Sequence, residues 1–283
     1  MPNLRELRSR IRSVESTSRV TKALQMIAAA KMKKAQDKVT DGRSYGEKLN
    51  GILTNVYRSN PEIFEQFKNN NTSKNLILFI TPDRGLCGAL VSNIFRAATN
   101  YLSEDNSDKE IVVIGKKGKS LISKSKDKEF KSYRISDMPT FDEVSHITKS
   151  IADKYVSGEV SEINLIYSEF ISTAIQKPKI KKLMPVQITE DLQEGNSAEF
   201  IYEPNLDEVS NALIPRYIEQ NIYNAVLDSI ASEHSARLVA MQNATDNANE
   251  LKQDLTLDMN KARQEQVTSE ILDIIGGALA LED

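Results

Sequence analysis

No glycine or proline interrupts Asn3–Asp41 or Arg216–Ile275, two stretches near opposite ends of a 283-residue chain. These are the two residues that most disfavour helix, so both stretches read as helical rods. At 1.5 Å per residue they would run roughly 58 Å and 90 Å, longer than an ordinary domain is wide. Nearly all the turn-forming residues lie between them. Such a chain builds rods from its ends and a compact unit from its middle. That plan suits a shaft or scaffold better than a pocket enzyme.

The composition agrees. At 40% hydrophobic and 27% charged residues the chain can bury a core, and with 6% aromatics and no Trp it favours Ala/Leu helix packing over a β-sandwich. One cysteine, Cys87, excludes an internal disulfide and fits a reducing compartment. No apolar run approaches the roughly 20 residues that span a bilayer. Met1–Arg12 alternates charge with leucine and reads as helix rather than as a secretion signal. The net charge of −3 conceals an asymmetry: Met1–Lys48 carries twelve Lys/Arg against five Asp/Glu, and Leu206–Asp283 carries five against fourteen. Each could be a solvated helix face, but opposite signs favour rods lying side by side.

Along the first rod, Leu4, Leu7, Ile11 and Val14 step by three and four residues, as in a coiled-coil seam. The register meets Ser18, Thr21 and Gln25, then recovers at Ala28, Met32, Ala35 and Val39. A second stripe, Val20, Leu24 and Ile27, suggests that the apolar face shifts around the helix. Gly42, Gly46 and Gly51 predict a loosening before the rod ends near Asn60-Pro61. The second rod begins between Pro204 and Pro215 and carries Met241, Ala244, Ala248, Leu251 and Leu255 at seam spacing. Its seam then takes Asp258, Ala262 and Glu265 before Leu272 and Leu279. Heptads this imperfect suit an antiparallel pair within one chain better than a homodimeric zipper.

The middle differs in kind. Asn75–Thr81, Ile111–Gly115 and Ile163–Phe170 read as strands, with Lys179–Val186 a further candidate. Helices are expected over Ala89–Leu102, Lys117–Lys126 and Phe141–Ser157, and Thr189–Ala198 reads as a loop. The fold class is therefore α/β: a long antiparallel coiled coil of the terminal helices plus a central Rossmann-like domain. The expected boundaries are 1–60 for the first helix, 61–205 for the α/β domain and 206–283 for the last helix.

Motifs with chemical promise weaken on inspection. Gly115–Ser120, GKKGKS, has two residues between its glycines where a phosphate loop needs four, so a basic turn opening a helix explains it better. Asp83–Gly88, DRGLCG, follows a strand and precedes a helix, where α/β folds place ligands, but it lacks the dinucleotide fingerprint. Cys87 has only His146 and His234 in the chain as histidine partners, in unrelated regions, so neither a catalytic pair nor a dedicated metal site is expected. The basic first helix could hold phosphates, yet leucines interleave its charges at seam spacing, so no nucleic acid partner is expected.

Three of these segments together resemble one family. Ile11–Lys31, IRSVESTSRVTKALQMIAAAK, resembles the N-terminal signature of the γ subunit of F-type rotary proton-translocating ATP synthases. DRGLCG looks like that family's central motif, and Glu233–Ala248, EHSARLVAMQNATDNA, is similar to its C-terminal one. They occur in the expected order and cover the whole chain.

The resemblance implies a central-stalk rotor, non-catalytic alone and without cofactor, catalytic residue or metal. It would couple rotation of the membrane c-ring, driven by proton flow, to conformational cycling of the catalytic β subunits for ATP synthesis. It also implies the partners: the α and β subunits of the hexameric head, the ε subunit and the c-ring, with one copy per complex. Location would be peripheral, on the cytoplasmic face of a bacterial inner membrane, since no transit peptide is recognised. Residue by residue, NKARQ at Asn260–Gln264 matches the stretch that meets a β-subunit loop, which implies contacts by Arg263 and Gln264, with Thr268 one turn on and Leu24 on the other helix. Tyr202 and Glu203, in a YEP element, match the foot that rests on the c-ring and ε. Ile271–Leu281 would sit in an apolar bearing, with Gly276 and Gly277 setting how far the helix extends. A coiled-coil tether without rotation explains the rods but not the motifs. An α/β enzyme using the DRGLCG turn would require the chain itself to bind ATP.

Overall fold

A computed structural model describes residues 4–59, 62, 72–104, 107–123, 130–186 and 202–282. The elements are α1 (Leu4–Ser59), β1 (Asn75–Ile80), α2 (Leu90–Glu104), β2 (Lys109–Ile114), α3 (Lys116–Ile122), β3 (Phe130–Tyr133), α4 (Phe141–Val156), β4 (Glu162–Phe170), β5 (Gln176–Met184) and α5 (Leu206–Glu282). The expected Thr189–Ala198 loop and the Asn60-Pro61 end of the first rod lie outside the described residues.

The sheet has the order β3-β2-β1-β4-β5. β3, β2, β1 and β4 run parallel, and β5 returns antiparallel to β4. Side chains alternate between its two faces, as strand geometry requires. Leu76, Leu78 and Ile80 of β1 join Val112, Ile114, Ile163 and Leu165 in one core, covered by α1, α4 and α5. Ile77 and Phe79 join Ile111, Val113 and Ile166 in a second, covered by α2 through Ile94 and Ala98 and by α3 through Ile122. A sheet buried on both faces needs near-continuous apolar strands, as NLILFI and KEIVVI are.

Three local features depart from the sequence expectation. β3 was not foreseen, because FKSY has little apolar content and its two central residues face solvent. β5 starts three residues earlier than expected, passing through Pro178 opposite Ser168; an edge strand tolerates proline because one side of its ladder is open. Helix α1 runs unbroken through Gly42, Gly46 and Gly51. A Cβ on Gly42 would sit 3.7 Å from Gln220 Nε2, and one on Gly46 3.5 Å from Asn224 Nδ2, so two of these glycines line the approach to α5 rather than loosening the helix.

By packing, the chain divides into a unit of Met1–Ile27 with Leu238–Asp283 and a unit of Ala28–Arg237. In the first, the helices run in opposite directions: Glu15 faces Lys252 at 3.3 Å, Ser18 donates to Asn249 at 2.8 Å, and the Thr21 and Thr245 hydroxyls meet at 2.7 Å. Buried positions on α1 recur at Leu7, Thr21, Ala28 and Ala35. The expected interruption at Thr21 is thus a continuation of the seam, since paired hydroxyls satisfy each other, and Val20 and Ile27 of the second stripe are exposed. On α5 the buried positions are Met241, Thr245 and Ala248, while Leu251 turns outward at 48% exposure. Pro215 lies inside α5, not at its start; Asn205 opens that helix by accepting from the Glu208 amide at 2.8 Å.

Candidate functional site

In an open parallel sheet, ligands settle beyond the carboxyl ends of the strands where the winding reverses. Here β1 is joined through α2 to β2 on one side, while β4 lies on its other side, so the reversal falls at β1 and β4. The Asp83–Gly88 turn leaves β1 at that point. Its sharp reversal needs left-handed backbone at Leu86 (φ 62°) and Gly88 (φ 56°), the second costing nothing for glycine. Leu86 consequently points outward and is 65% exposed, while Cys87 packs inward against Leu90 and Ala236.

The crevice is filled by the chain's own α5. Arg237 donates through Nη2 to Glu233 Oε1 at 2.6 Å and to the Gly85 carbonyl at 3.3 Å, and its Nη1 lies 3.1 Å from His234 Nδ1. Burial, then the Arg237 and Lys31 charges, push the His234 pKa down to about 4, so the ring is neutral at pH 7. Burial raises Glu233, partly offset by its hydrogen bond from Arg237. Asp137, on the loop before α4, is held below the usual carboxylate range chiefly by its hydrogen bond from Lys31 of α1. What remains is a cavity of about 40 Å³ lined by Thr81, Asp83, Ser136, Asp137, Glu233 and His234, room for a few waters and far too little for a nucleotide. Burial also pushes the Cys87 thiol up, away from the thiolate a nucleophile needs.

The GKKGKS turn is closed to phosphate by its own neighbours. The Lys116 amide donates to Asp83 Oδ1 at 2.9 Å, the Lys117 amide to the Pro82 carbonyl at 3.2 Å, and the Gly118 amide to Thr81 Oγ1 at 2.8 Å. Gly115 adopts φ 101°, and a Cβ there would lie 2.0 Å from the Thr81 carbonyl oxygen. The glycines therefore let α3 press against the end of β1. His146 is exposed on α4, and among the described residues no group of three or more His, Cys, Asp or Glu is placed to hold a metal ion.

The residues singled out by family resemblance lie elsewhere and do not form one site. Arg263, Gln264 and Thr268 are exposed on α5, and Thr268 bonds back to the Gln264 carbonyl at 2.9 Å. Leu24 is half-buried on α1 beside exposed Met26 and Ile27. Tyr202 is half-buried against the larger core, and Glu203 is exposed. From the register of the Glu15, Ser18 and Thr21 contacts, the described start of α1 at Leu4 falls near Arg263. Past that point α5 presents Val267, Ile271, Leu272, Ile274 and Ile275, each about half exposed or more. Sequence reasoning missed the joint role of Glu233 and Arg237, although their four-residue spacing on a helix signals an ion pair. It also missed Lys31 and Lys38, whose partners stand about a hundred residues away.

A family model described as ATP synthase matches residues 3–281. The chain is 44% identical over 285 residues to the ATP synthase gamma chain of Dehalococcoides mccartyi strain CBDB1, covering 99% of this chain and all of that one. The chain belongs to the ATP synthase gamma-chain family. A gamma chain from Chloroflexus aurantiacus is 39% identical over 289 residues, with 99% of both chains covered. Among solved structures, a chain of the central stalk and c-ring of the Tetrahymena thermophila mitochondrial ATP synthase superposes with a TM-score of 0.64 at 25% identity. That match covers 80% of this chain and 99% of the other. A chain of the Euglena gracilis mitochondrial enzyme shares the fold at a TM-score of 0.67 and 22% identity, over 98% and 94% of the two chains. The crevice plugged by Glu233, His234 and Arg237 is thus a feature of a gamma chain, a subunit of the ATPase rather than a catalytic subunit by itself.

Proposed function

We propose that this gamma chain is the central-stalk rotor of an ATP synthase, and that it couples rotation of a c-ring driven by protons to conformational cycling of the catalytic β subunits. One observation carries the mechanical part of that reading. A single helix, α5, is paired with α1 through Thr245 and Lys252, then continues past the described start of α1, where Val267, Ile271, Ile274 and Ile275 form an apolar stripe exposed among the described residues. Half-exposed isoleucines and leucines at a helix end are a surface made to be covered. A low-friction apolar sleeve, formed by the α and β subunits of a six-membered head, is the occupant that the family supplies. Side chains of residues 276–281, the rest of the expected bearing segment, lie outside the described residues.

Arg263 and Gln264, with Thr268 and Leu24, meet a β-subunit loop; an exposed guanidinium can grip a carboxylate by two parallel hydrogen bonds and release it as the shaft turns. Tyr202 and Glu203, at the entrance to the last helix, meet ε and the c-ring. No described helix is long and apolar enough to cross a membrane, so attachment to the cytoplasmic face of the inner membrane runs through the complex. Domain limits of 1–60, 61–205 and 206–283 divide these roles along the chain. The test is reconstitution: purified with α, β, ε and the membrane sector, the chain should appear once per head, and a bead fixed to it should turn when ATP is added. A stable, ATP-hydrolysing head whose bead never rotates would defeat the reading.

A further inference from the structure

The chain leaves α1 at Ser59 and enters α5 at Leu206, so in sequence the α/β domain is spliced between the two helices. Covalent linkage and a shared apolar core hold the domain on them. The loop before α4 adds a directional polar tie to both helices. The carbonyl oxygen of Pro139 accepts two hydrogen bonds, one from each helix: Lys38 Nζ of α1 at 2.9 Å and the Tyr223 hydroxyl of α5 at 3.3 Å. Pro139 itself is buried. Lys38 also reaches the Met138 carbonyl at 3.5 Å, and one heptad earlier on the same face Lys31 pairs with Asp137. Phe141 opens α4 and meets the Tyr223 ring edge-on at 5.4 Å and 77°.

We propose that the Met138-Pro139 backbone is a key that locks the α/β domain to both helices at once, with Lys38 and Tyr223 as the positioning residues that hold it. One oxygen shared between two antiparallel helices resists rotation of either against the domain, since any twist lengthens at least one of the bonds. The Lys31–Asp137 pair is half exposed and adds orientation more than strength. The Lys38 ammonium bonded to a buried carbonyl is the stronger grip. The inference rests on the rotor reading: torque entering at the α/β domain and foot must reach the helices, and this key is a path that bypasses the splice.

The test uses the complete enzyme reconstituted in vesicles, carrying Lys38→Met with Tyr223→Phe. These changes remove both donors and keep the lysine's apolar length and the aromatic ring. ATPase turnover should be retained, while protons moved per ATP fall and the angular fluctuations of a bead on the stalk widen. Lys38→Arg in place of Lys38→Met, still with Tyr223→Phe, restores a cationic donor and should bring both readouts back to the level of Tyr223→Phe alone. Loss of a merely structural contact would lower assembly without changing protons per ATP in the complexes that form. Wild-type protons per ATP and wild-type fluctuation width in the double variant would overturn the key. If that variant does not assemble, Tyr223→Phe alone decides: it removes one hydroxyl, and an unaltered coupling ratio and stiffness overturn the proposal, while a partial loss of both supports it. Failure of the unsubstituted chain to rotate would instead count against the rotor reading itself.

Discussion

The same two helices live in two environments. Between Ala28 and Arg237 they lie on a sheet, and residues such as Ala35, Leu53, Val56, Ile218, Ile222 and Val226 vanish into one core with β1, β2 and β4. Among the described residues of Met1–Ile27 with Leu238–Asp283 they pack on each other, and the seam is Leu7, Thr21, Met241, Thr245 and Ala248. One region is stabilised by buried area, the other by a narrow strip of small and hydroxylated residues. The second arrangement leaves most side chains of both helices exposed or half-exposed. Stability and availability trade against each other along a single pair of helices.

The largest effect that would sharpen this contrast comes from matched truncations. Ile222→Ala, at a fully buried position facing the sheet, should cost about 2–5 kcal/mol. Ile11→Ala, half-buried in the two-helix seam, should cost about 1 kcal/mol because less apolar area is lost and no enclosed cavity is left. Urea melts of the two variants, followed by circular dichroism, measure both. Equal costs would erase the distinction between the regions.

Next is the charge that the larger unit buries. Asp228 of α5 lines a cavity of about 240 Å³ with Glu47, Tyr167, Lys181, Gln220 and Asn224. Burial, then the negative charge of Glu169, lifts its pKa to about 6, against the opposing pull of Lys179 and Lys181. A carboxyl raised in the folded state binds its proton more tightly there than in the unfolded chain. It therefore favours folding below about pH 4, and that contribution is lost as pH rises through 6. Asp228→Asn mimics the protonated form, so it should raise stability by about 3 kcal/mol at pH 7 and by nothing below pH 4. A gain that persisted unchanged at pH 3.5 would show that the cause is not this titration.

A smaller effect tests the polar seam of the two-helix region. The Thr21 and Thr245 hydroxyls lie 2.7 Å apart, and each also faces a carbonyl on its own helix, Ser18 at 3.0 Å and Met241 at 2.8 Å, so one hydroxyl donates across the pair while the other donates to its own carbonyl. Thr21→Val alone should cost about 1 kcal/mol or less, and adding Thr245→Val should restore most of it, because both partners then become apolar together. Strict additivity of the two changes would mean that the hydroxyls do not act as a pair.

Sequence patterns exposed some of this and hid the rest for physical reasons. The rods were legible because a helix needs little beyond the absence of Gly and Pro over a long stretch, and the central strands because burial on both faces demands unbroken apolar runs. Strand β3 was hidden, since FKSY gains its place only by pairing with β2. The glycines of α1 misled because their meaning, close approach to Gln220 and Asn224, belongs to a neighbour far along the chain. Leu251 misleads in the same way: its hydrophobicity suggests a seam position, yet it is 48% exposed while the half-exposed Lys252 beside it turns toward Glu15. At the plugged crevice the motif residues were visible but not their partners. Nothing local says that Arg237 will cap the Gly85 carbonyl, or that Lys38 will find Pro139.

The smallest expected effect on stability falls where the effect on work should be plain. Arg263 and Gln264 are exposed near the point where α5 outruns α1, with no hydrogen bond or ion pair from their side chains to the described residues. Replacing both with Ala should change stability by less than about 0.5 kcal/mol, because surface substitutions remove neither packing nor a satisfied buried group. In the assembled enzyme the same double variant should lower torque-coupled turnover, since the guanidinium fork that would seize a β-subunit carboxylate is gone. The two readouts separate the regions cleanly. In the sheet-backed unit a substitution reaches function through folding; on the bare helix it reaches function through a partner. A double variant that melts like wild type and also turns over with wild-type torque would remove these residues from the shaft's working surface, and would leave the apolar positions from Val267 onward as the part of α5 that the head grips.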